Sequence, residues 1–204
     1  MKKKIIIISA AVFCFVLITC FVYYGISDRF DDTVCSFFYS IRTDGLNTLM
    51  EGITYLGNWQ SVTVLCLLLL AYGSTRNIYG IPAAAAALTS SAVKAAVKPL
   101  MKIPRPDASL HLIEQGGYSY PSGHAITSMT VCLVLFILVK RHMEGGVKKN
   151  VFMSLLIIVP LMIGISRVYL GVHFPTDVLG GWSAAAALAA GEIAVIDRIK
   201  KDRL

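Results

Sequence analysis

The chain has 204 residues, of which 56% are apolar and only 15% are charged. A soluble protein carries about 25% charged residues, so this composition excludes a soluble enzyme, a disordered chain and a disulfide-rich secreted scaffold. The net charge of +7 does not predict a nucleic-acid partner, because much of it lies at the ends of apolar runs, where membrane topology accounts for it.

The apolar runs predict six membrane-spanning helices, since a span needs about 20 mostly apolar residues. They cover roughly residues 5–27, 53–74, 78–98, 122–140, 150–167 and 177–196. The first run is uncharged and is followed by no A-x-A cleavage site, so it is expected to be a retained span rather than a signal peptide. The predicted fold class is all-α, a polytopic membrane protein with a six-transmembrane-helix bundle in one domain, residues 1–204.

A short helical segment is predicted between the first two spans, within residues 28–51. Apolar residues recur there at helical spacing, and polar residues lie largely opposite: Phe30, Val34, Phe37, Phe38, Ile41, against Asp31, Asp32, Ser36, Ser40. That pattern is typical of a helix in the outer membrane interface. Ordinary packing over the bundle explains it equally well.

The distribution of Lys and Arg predicts the orientation. With the N-terminus inside, 12 of the 19 basic residues lie on the cytoplasmic side, and six lie outside. The cytoplasmic set includes Lys2, Lys3 and Arg203. This asymmetry favours both termini in the cytoplasm. The five cysteines form no C-x-x-C pair, so neither a disulfide framework nor a structural zinc site is expected.

The first candidate cluster follows the third span. Lys98 ends this span, and Arg105-Pro106 comes after six intervening residues in a loop stiffened by prolines. Two cations on such a loop can clamp a phosphate, although side chains at a helix end also snorkel towards water. Lys94, one turn deeper, either lines a lipid cleft or snorkels outward.

The second cluster is Pro121-Ser122-Gly123-His124, at the start of the fourth span. Ser122 is a natural N-cap, and the free amides of Gly123 and His124 would form an anion site at the helix N-terminus. His124 would place a titratable donor beside it. A capped helix with an interfacial histidine is the alternative.

The third cluster joins the last two spans: Ser166-Arg167, then His173 after five residues, then Asp177 after three more. Asp177 in the first turn of the sixth helix can reach back to the ring of His173. A carboxylate there fixes the tautomer and leaves the other ring nitrogen basic. The alternative is an Asp that stabilises a helix N-terminus beside an incidental histidine.

Together the clusters supply three cations, a helix N-terminus and two histidines, which are the components of phosphoryl transfer through a phosphohistidine. Their order and spacing resemble the tripartite signature of the type 2 phosphatidic acid phosphatase superfamily, with every position filled: Lys98-x6-Arg105-Pro106, Pro121-Ser122-Gly123-His124 and Ser166-Arg167-x5-His173-x3-Asp177. Within that superfamily the chain is similar to the small bacterial membrane members, of the phosphatidylglycerophosphate phosphatase B type.

The resemblance implies a role for each matching residue. His173 would be the nucleophile, Asp177 would orient it, and His124 would be the general acid and then the general base. The phosphoryl oxygens would be bound by Lys98, Arg105, Ser122, Gly123 and Arg167. Members of the family need no metal and no cofactor, and the single aspartate of the site agrees, because magnesium prefers several oxygen ligands.

The expected substrate is a lipid phosphate in the bilayer, because the site is predicted at the outer ends of the membrane helices. The resemblance implies that this bilayer is a bacterial plasma membrane. Phosphatidylglycerophosphate, phosphatidic acid and undecaprenyl diphosphate all fit, and a soluble phosphate ester is a weaker alternative. Tyr118 and Tyr120 are interpreted as interfacial aromatic residues. A transporter would place its charges at mid-membrane and often show repeated halves, and neither feature is visible. The sequence does not predict the oligomeric state.

Overall fold

The computed structural model describes the backbone of residues 2–202 and the side chains from Lys4 onwards. Arg203 and the side chains of Lys2 and Lys3, which enter the charge count, lie outside the described residues. Every regular element between residues 2 and 202 is helical, in agreement with the predicted all-α class. The main helices are α1 (Lys2–Tyr23), α2 (Asp28–Ser40), α3 (Asp44–Tyr55), α4 (Trp59–Ala71), α5 (Gly73–Met101), α6 (Gly123–His142), α7 (Val147–Tyr169) and α8 (Pro175–Lys201).

Six membrane crossings follow from the arrangement of these helices. Helices α1, α5, α6, α7 and α8 are each long and apolar enough to span a bilayer, and α3 with α4 qualifies only as a pair bent by 47°. Lys4 of α1 forms an ion pair with Asp197 of α8, and Arg141 at the end of α6 donates to the same carboxylate at 2.7 Å. The chain therefore begins and ends at the same end of the bundle. This requires an even number of crossings, so the bent pair supplies the sixth.

The predicted span over residues 53–74 is not one continuous helix. The structure breaks it at residues 56–58, where α3 ends and α4 begins. A Cβ on Gly57 would lie 2.5 Å from Ile163 Cγ2 and 3.0 Å from His124 Cδ2. The chain bends where only a glycine fits between α6 and α7, and an apolar run does not reveal that tertiary contact.

Helix α6 is the centre of the bundle and packs against α5, α7 and α8. Its buried side chains Val131, Val134 and Leu138 meet small residues such as Ala86 of α5 and Ala189 of α8. Small residues let membrane helices approach closely. This core fixes the outer ends of α5, α6, α7 and α8, where the three sequence clusters lie.

Helix α2 is present within the predicted segment 28–51, but one residue departs from the predicted pattern. Asp31, assigned by its spacing to the polar face, is buried. The reason is a contact made across the fold: the Asp31 carboxylate accepts hydrogen bonds from the backbone N–H of Thr176 at 2.9 Å and from its hydroxyl at 2.6 Å. Helix α2 thus packs over the first turn of α8.

Candidate active site

The three sequence clusters meet around one cavity of about 410 Å³ at the end of the bundle opposite the Lys4–Asp197 ion pair. Five of the eight predicted site residues line this cavity: Lys98, Arg105, Gly123, His124 and His173. Asp177 and Ser122 are buried behind it. The cavity continues into an apolar part between α4 and α5, lined by Trp59, Val62, Ala87 and Leu88.

The imidazole of His173 is held by the first turn of α8. His173 is buried just before this helix, and its Nδ1 lies 3.1 Å from Asp177 Oδ2. The same carboxylate oxygen accepts the backbone N–H of Phe174 at 2.8 Å and the hydroxyl of Ser119. The four-residue spacing therefore brings the carboxylate to the ring, and three donors fix the carboxylate.

The other ring nitrogen of His173 faces Arg105. Arg105 Nη1 lies 3.1 Å from His173 Nε2. A guanidinium only donates, so Nε2 is unprotonated and accepts this hydrogen bond with its lone pair, and Nδ1 carries the proton given to Asp177. Burial, together with the nearby charges of Arg167, Arg105 and Lys98, lowers the pKa of His173 well below its ordinary 6.5. The ring is thus neutral at physiological pH, as a nucleophile must be.

Two of the predicted phosphate-binding cations, Arg105 and Lys98, donate hydrogen bonds to backbone carbonyls, most of them in the loop before α6. Arg105 donates to the carbonyls of Gly116 (3.2 Å), Gly117 (3.0 Å), Tyr118 (3.2 Å) and Val172 (2.6 Å). Lys98 donates to the carbonyls of Tyr118 and, at 3.0 Å, Ser119. Burial lowers the pKa of Arg105 below its usual value. The loop therefore lies directly on the two cations and occupies most of their donor nitrogens.

Arg167 lies farther from the cavity than its motif suggests. The side chain is buried at the end of α7 and lines a neighbouring cavity of about 330 Å³ instead. Its guanidinium donates to Thr54 Oγ1 at 2.8 Å and to Gln115 Oε1 at 2.5 Å. Gln115 lines both cavities, so it forms part of the wall that separates Arg167 from the larger one.

At the start of α6, the Ser122 hydroxyl does not cap the helix, and Gly123 lies against the side chain of Lys94. Ser122 occupies the N-cap position, but its side chain makes no cap hydrogen bond, and the buried hydroxyl has no partner among the described residues. A Cβ on Gly123 would lie 2.8 Å from Lys94 Cδ. Of the two interpretations of Lys94, the structure places the side chain in the cavity, with its stem against Gly123.

Sequence reasoning missed three polar residues of the site. Ser119 bonds the carboxylate of Asp177, Asn58 accepts a hydrogen bond from His124 Nε2 at 2.5 Å, and Thr54 binds Arg167. Ser119 and Thr54 leave no signal in the sequence beyond their polarity. The Gly57-Asn58 pair is different, because two poor helix formers inside an apolar run mark a possible break.

Tyr120 is not the interfacial aromatic residue that was predicted. It is fully buried, its hydroxyl lies 2.8 Å from Thr19 Oγ1 of α1, and a Cβ on Gly180 would lie 2.4 Å from that hydroxyl. The ring fills a space at the backbone of α8. Tyr118 is 41% exposed and borders the cavity.

The family model of the PAP2 superfamily matches residues 79–201. The chain is 30% identical over 164 residues to phosphatidylglycerophosphatase B of Bacillus subtilis, which covers 78% of this chain and 79% of the relative. It is 40% identical over 65 residues to an undecaprenyl-diphosphatase of Sulfolobus acidocaldarius, covering 32% and 27% of the two chains.

Solved structures extend the likeness to the whole fold. The crystal structure of a transmembrane PAP2-type phosphatidylglycerolphosphate phosphatase from Bacillus subtilis superposes with a TM-score of 0.85 at 26% identity, covering 95% of this chain and 97% of that one. The structure of LpxE from Aquifex aeolicus shares the fold, with a TM-score of 0.65, 24% identity, and 80% and 93% coverage.

Proposed function

The chain belongs to the PAP2 superfamily and is a membrane lipid phosphatase, and we propose that it hydrolyses phosphatidylglycerophosphate to phosphatidylglycerol and inorganic phosphate. The observation that carries the proposal is the unprotonated Nε2 of His173, which faces the cationic cavity while Nδ1 is bonded to Asp177. That arrangement supplies a neutral, oriented nucleophile beside groups that stabilise phosphoryl charge.

The proposed reaction has two steps. Nε2 of His173 attacks phosphorus, the bond from phosphorus to the glycerol oxygen breaks, and protonated His124 gives its proton to the leaving alkoxide. Neutral His124 then takes a proton from water, whose oxygen attacks phosphorus and breaks the phosphorus–nitrogen bond. Phosphate leaves, and His173 is again neutral. Lys98 and Arg105, with the hydroxyl of Ser122 and the amide of Gly123, would bind the phosphoryl oxygens, and Arg167 would hold the wall formed by Gln115.

The apolar part of the cavity supports a lipid over a soluble substrate. It lies between α4 and α5, and two of its residues, Trp59 and Leu88, are 72% and 71% exposed on the outside of the bundle. An acyl chain at that position would remain in contact with the bilayer while the phosphate reaches His173. A soluble phosphate ester would leave this surface unused.

Undecaprenyl diphosphate is the second candidate substrate. The match to the undecaprenyl-diphosphatase favours it, as does Lys94, which adds a further cation to the same cavity. The preference for phosphatidylglycerophosphate rests on the longer match, which extends over 78% of this chain.

The proposal is tested with the purified protein, a panel of substrates and His173→Ala as the blank. The panel contains phosphatidylglycerophosphate, phosphatidic acid, undecaprenyl diphosphate and glycerol phosphate, and kcat/KM is measured for each. We expect the highest value for phosphatidylglycerophosphate and radiolabelled phosphate on a peptide containing His173 after quenching. Label on another residue, or phosphate release by His173→Ala at the parental rate, would refute the mechanism.

Activity is expected to persist in excess EDTA. Among residues 2–202 no group of three or more His, Cys, Asp and Glu side chains lies close enough to hold a metal ion. In the proposed mechanism, Lys and Arg side chains neutralise the phosphoryl charge that magnesium neutralises in other phosphotransferases. Loss of phosphate release in EDTA, with recovery on adding Mg²⁺, would contradict this part of the proposal.

A further inference from the structure

The break between α3 and α4 brings a polar side chain to the ring of His124. Asn58 Oδ1 lies 2.5 Å from His124 Nε2. The amide oxygen of asparagine only accepts hydrogen bonds, so Nε2 carries a proton and donates it. Asn58 also lines the catalytic cavity itself.

The Asn58 side chain bonds His124 instead of capping its own helix, α4. It occupies the N-cap position of α4 in an extended conformation (φ −66°, ψ 152°), where asparagine is among the best capping residues, yet its side chain makes no cap hydrogen bond. A side chain that served only to start α4 would bond the exposed amides of its first turn. Here it bonds His124 instead.

The backbone beside Asn58 supports the ring as well. A Cβ on Gly57 would lie 3.0 Å from His124 Cδ2, so the chain contacts the imidazole edge at Gly57 and binds its nitrogen at Asn58. The break in the second span is therefore formed around His124.

We propose that Asn58 is a positioning residue that fixes the tautomer and orientation of His124, an inference that rests on the proposed function. With Nε2–H bonded to Asn58, Nδ1 is the nitrogen that gives the proton to the leaving alkoxide and later takes one from water. The same nitrogen must serve in both steps, and the retained Nε2–H bond keeps the ring from turning or changing tautomer between them.

A neutral partner suits the charges around His124. The side chains with the largest charge interactions on it come from α5, the following loop and α7, and they are cations: Lys94, Lys98, Arg105 and Arg167. His173 is a titratable neighbour from the loop before α8. A carboxylate at position 58 would stabilise the protonated ring and weaken it as an acid. The amide fixes the ring without adding negative charge.

The test compares Asn58→Ala, Asn58→Asp, His124→Ala and the double variant Asn58→Ala/His124→Ala on a lipid substrate that the parent hydrolyses. We expect Asn58→Ala to lower kcat by about 10- to 100-fold, part of the roughly 10²- to 10⁴-fold that general acid–base catalysis contributes, with KM within about threefold. If Asn58 acts through His124, the double variant is as slow as His124→Ala, because residues that act as a unit are non-additive.

Asn58→Asp tests the inference by itself if Asn58→Ala does not fold. The carboxylate keeps the hydrogen bond and stabilises the imidazolium, so the high-pH limb of kcat should move up by about one unit, a typical size for a nearby opposite charge. Ser61→Ala is the matched control. It removes the 2.7 Å hydrogen bond from Ser61 to the carbonyl of Tyr55 across the same break, away from the cavity, and should keep the parental profile.

A parental pH profile for Asn58→Asp, parental kcat for Asn58→Ala, or additive losses in the double variant would overturn the inference. These results are separable from failure of the proposed function. If the parent releases no phosphate from any lipid in the panel, the proposed function fails. If the parent is active and His124→Ala is slow while the Asn58 variants behave as the parent, only the role of Asn58 fails.

Discussion

At the scale of single residues, the proposed nucleophile His173 is contacted by Asp177 and Arg105 from opposite sides of its ring. Asp177 accepts the Nδ1 proton of His173, and Arg105 donates to Nε2. In the proposed mechanism, the second contact covers the nitrogen that attacks phosphorus. A substrate phosphoryl group that binds the guanidinium would draw this donor away and uncover the lone pair, which would couple substrate binding to activation of the nucleophile.

The pH dependence of kcat/KM reports the free enzyme and follows from His173. In the proposed mechanism its neutral form attacks, and its pKa lies well below 6.5 because of burial and nearby cations. On the acid side, activity should therefore be retained at pH 6.5 and be lost as the pH falls through the lowered pKa of His173. In Arg105→Gln one of these cations is gone, so the acid limb should move to higher pH.

The matched control for that experiment is Lys102→Gln. Lys102 is an exposed cation three residues before Arg105, and its loss should leave the acid limb where it is. An acid limb at or above pH 6.5 in the parent, or no upward movement in Arg105→Gln, would show that His173 is not held neutral as described.

The sequence predicts some site residues and not others for a physical reason. His173 and Asp177 are four residues apart at a helix start, so their contact is local and its spacing is visible. Asn58 and His124 are 66 residues apart, and only the folded bundle brings them together. Arg167 shows the converse, since its motif predicts a phosphate ligand while the fold directs its guanidinium to Thr54 and Gln115.

At the scale of helices, apolar runs predict the spans well, but contacts between helices decide their details. Helices α1, α5, α6, α7 and α8 each cover most of one predicted apolar run. The break between α3 and α4 and the burial of Asp31 depend on partners in α6, α7 and α8. Such partners are distant in sequence, and hydropathy carries no information about them.

Helix α2 should stabilise the start of α8 through Asp31. Replacing Asp31 with Ala removes both hydrogen bonds to Thr176, and loss of a cap at a helix N-terminus costs about 0.5–2 kcal/mol. We expect a lower midpoint of thermal unfolding in detergent and a lower kcat, because Asp177 lies in the same turn. Asp32→Ala, an exposed neighbour on α2, should match the parent. Equal midpoints for the two variants would contradict the capping role.

Helices α7 and α8 approach closely at Gly164. A Cβ there would lie 2.4 Å from Trp182 Cζ2 and 2.7 Å from Val178 Cγ1. Gly164→Ala should therefore destabilise the protein by about 1–3 kcal/mol, as overpacking of a core does, and this should appear as a lower midpoint of thermal unfolding. Gly191→Ala in α8 is the control, because nothing lies within 4 Å of its added Cβ. A Gly164→Ala midpoint equal to that of the control would show that this helix contact is looser than described.

At the scale of the whole molecule, the basic residues are distributed unequally between the two ends of the helix bundle. The end that holds Lys4, Arg141 and Asp197 is the one where the chain starts and finishes, and the cavity lies at the other. Twelve of the 19 basic residues belong to the first end by the sequence count. Four basic residues at the second end lie at the candidate site, where the proposed phosphate substrate would account for them: Lys94, Lys98, Arg105 and Arg167.

The charge asymmetry predicts that the site faces outward and both termini face the cytoplasm. Single cysteines placed at the two ends test this in intact cells: Lys102→Cys in the exposed loop after α5, and Glu144→Cys in the exposed turn between α6 and α7. A membrane-impermeant thiol reagent should label Lys102→Cys and spare Glu144→Cys until the cells are opened. The parent is the background control, because its five cysteines lie in helices α1, α2, α4 and α6. The opposite labelling pattern would place the cavity in the cytoplasmic leaflet, and its substrate would then have to be presented from inside the cell.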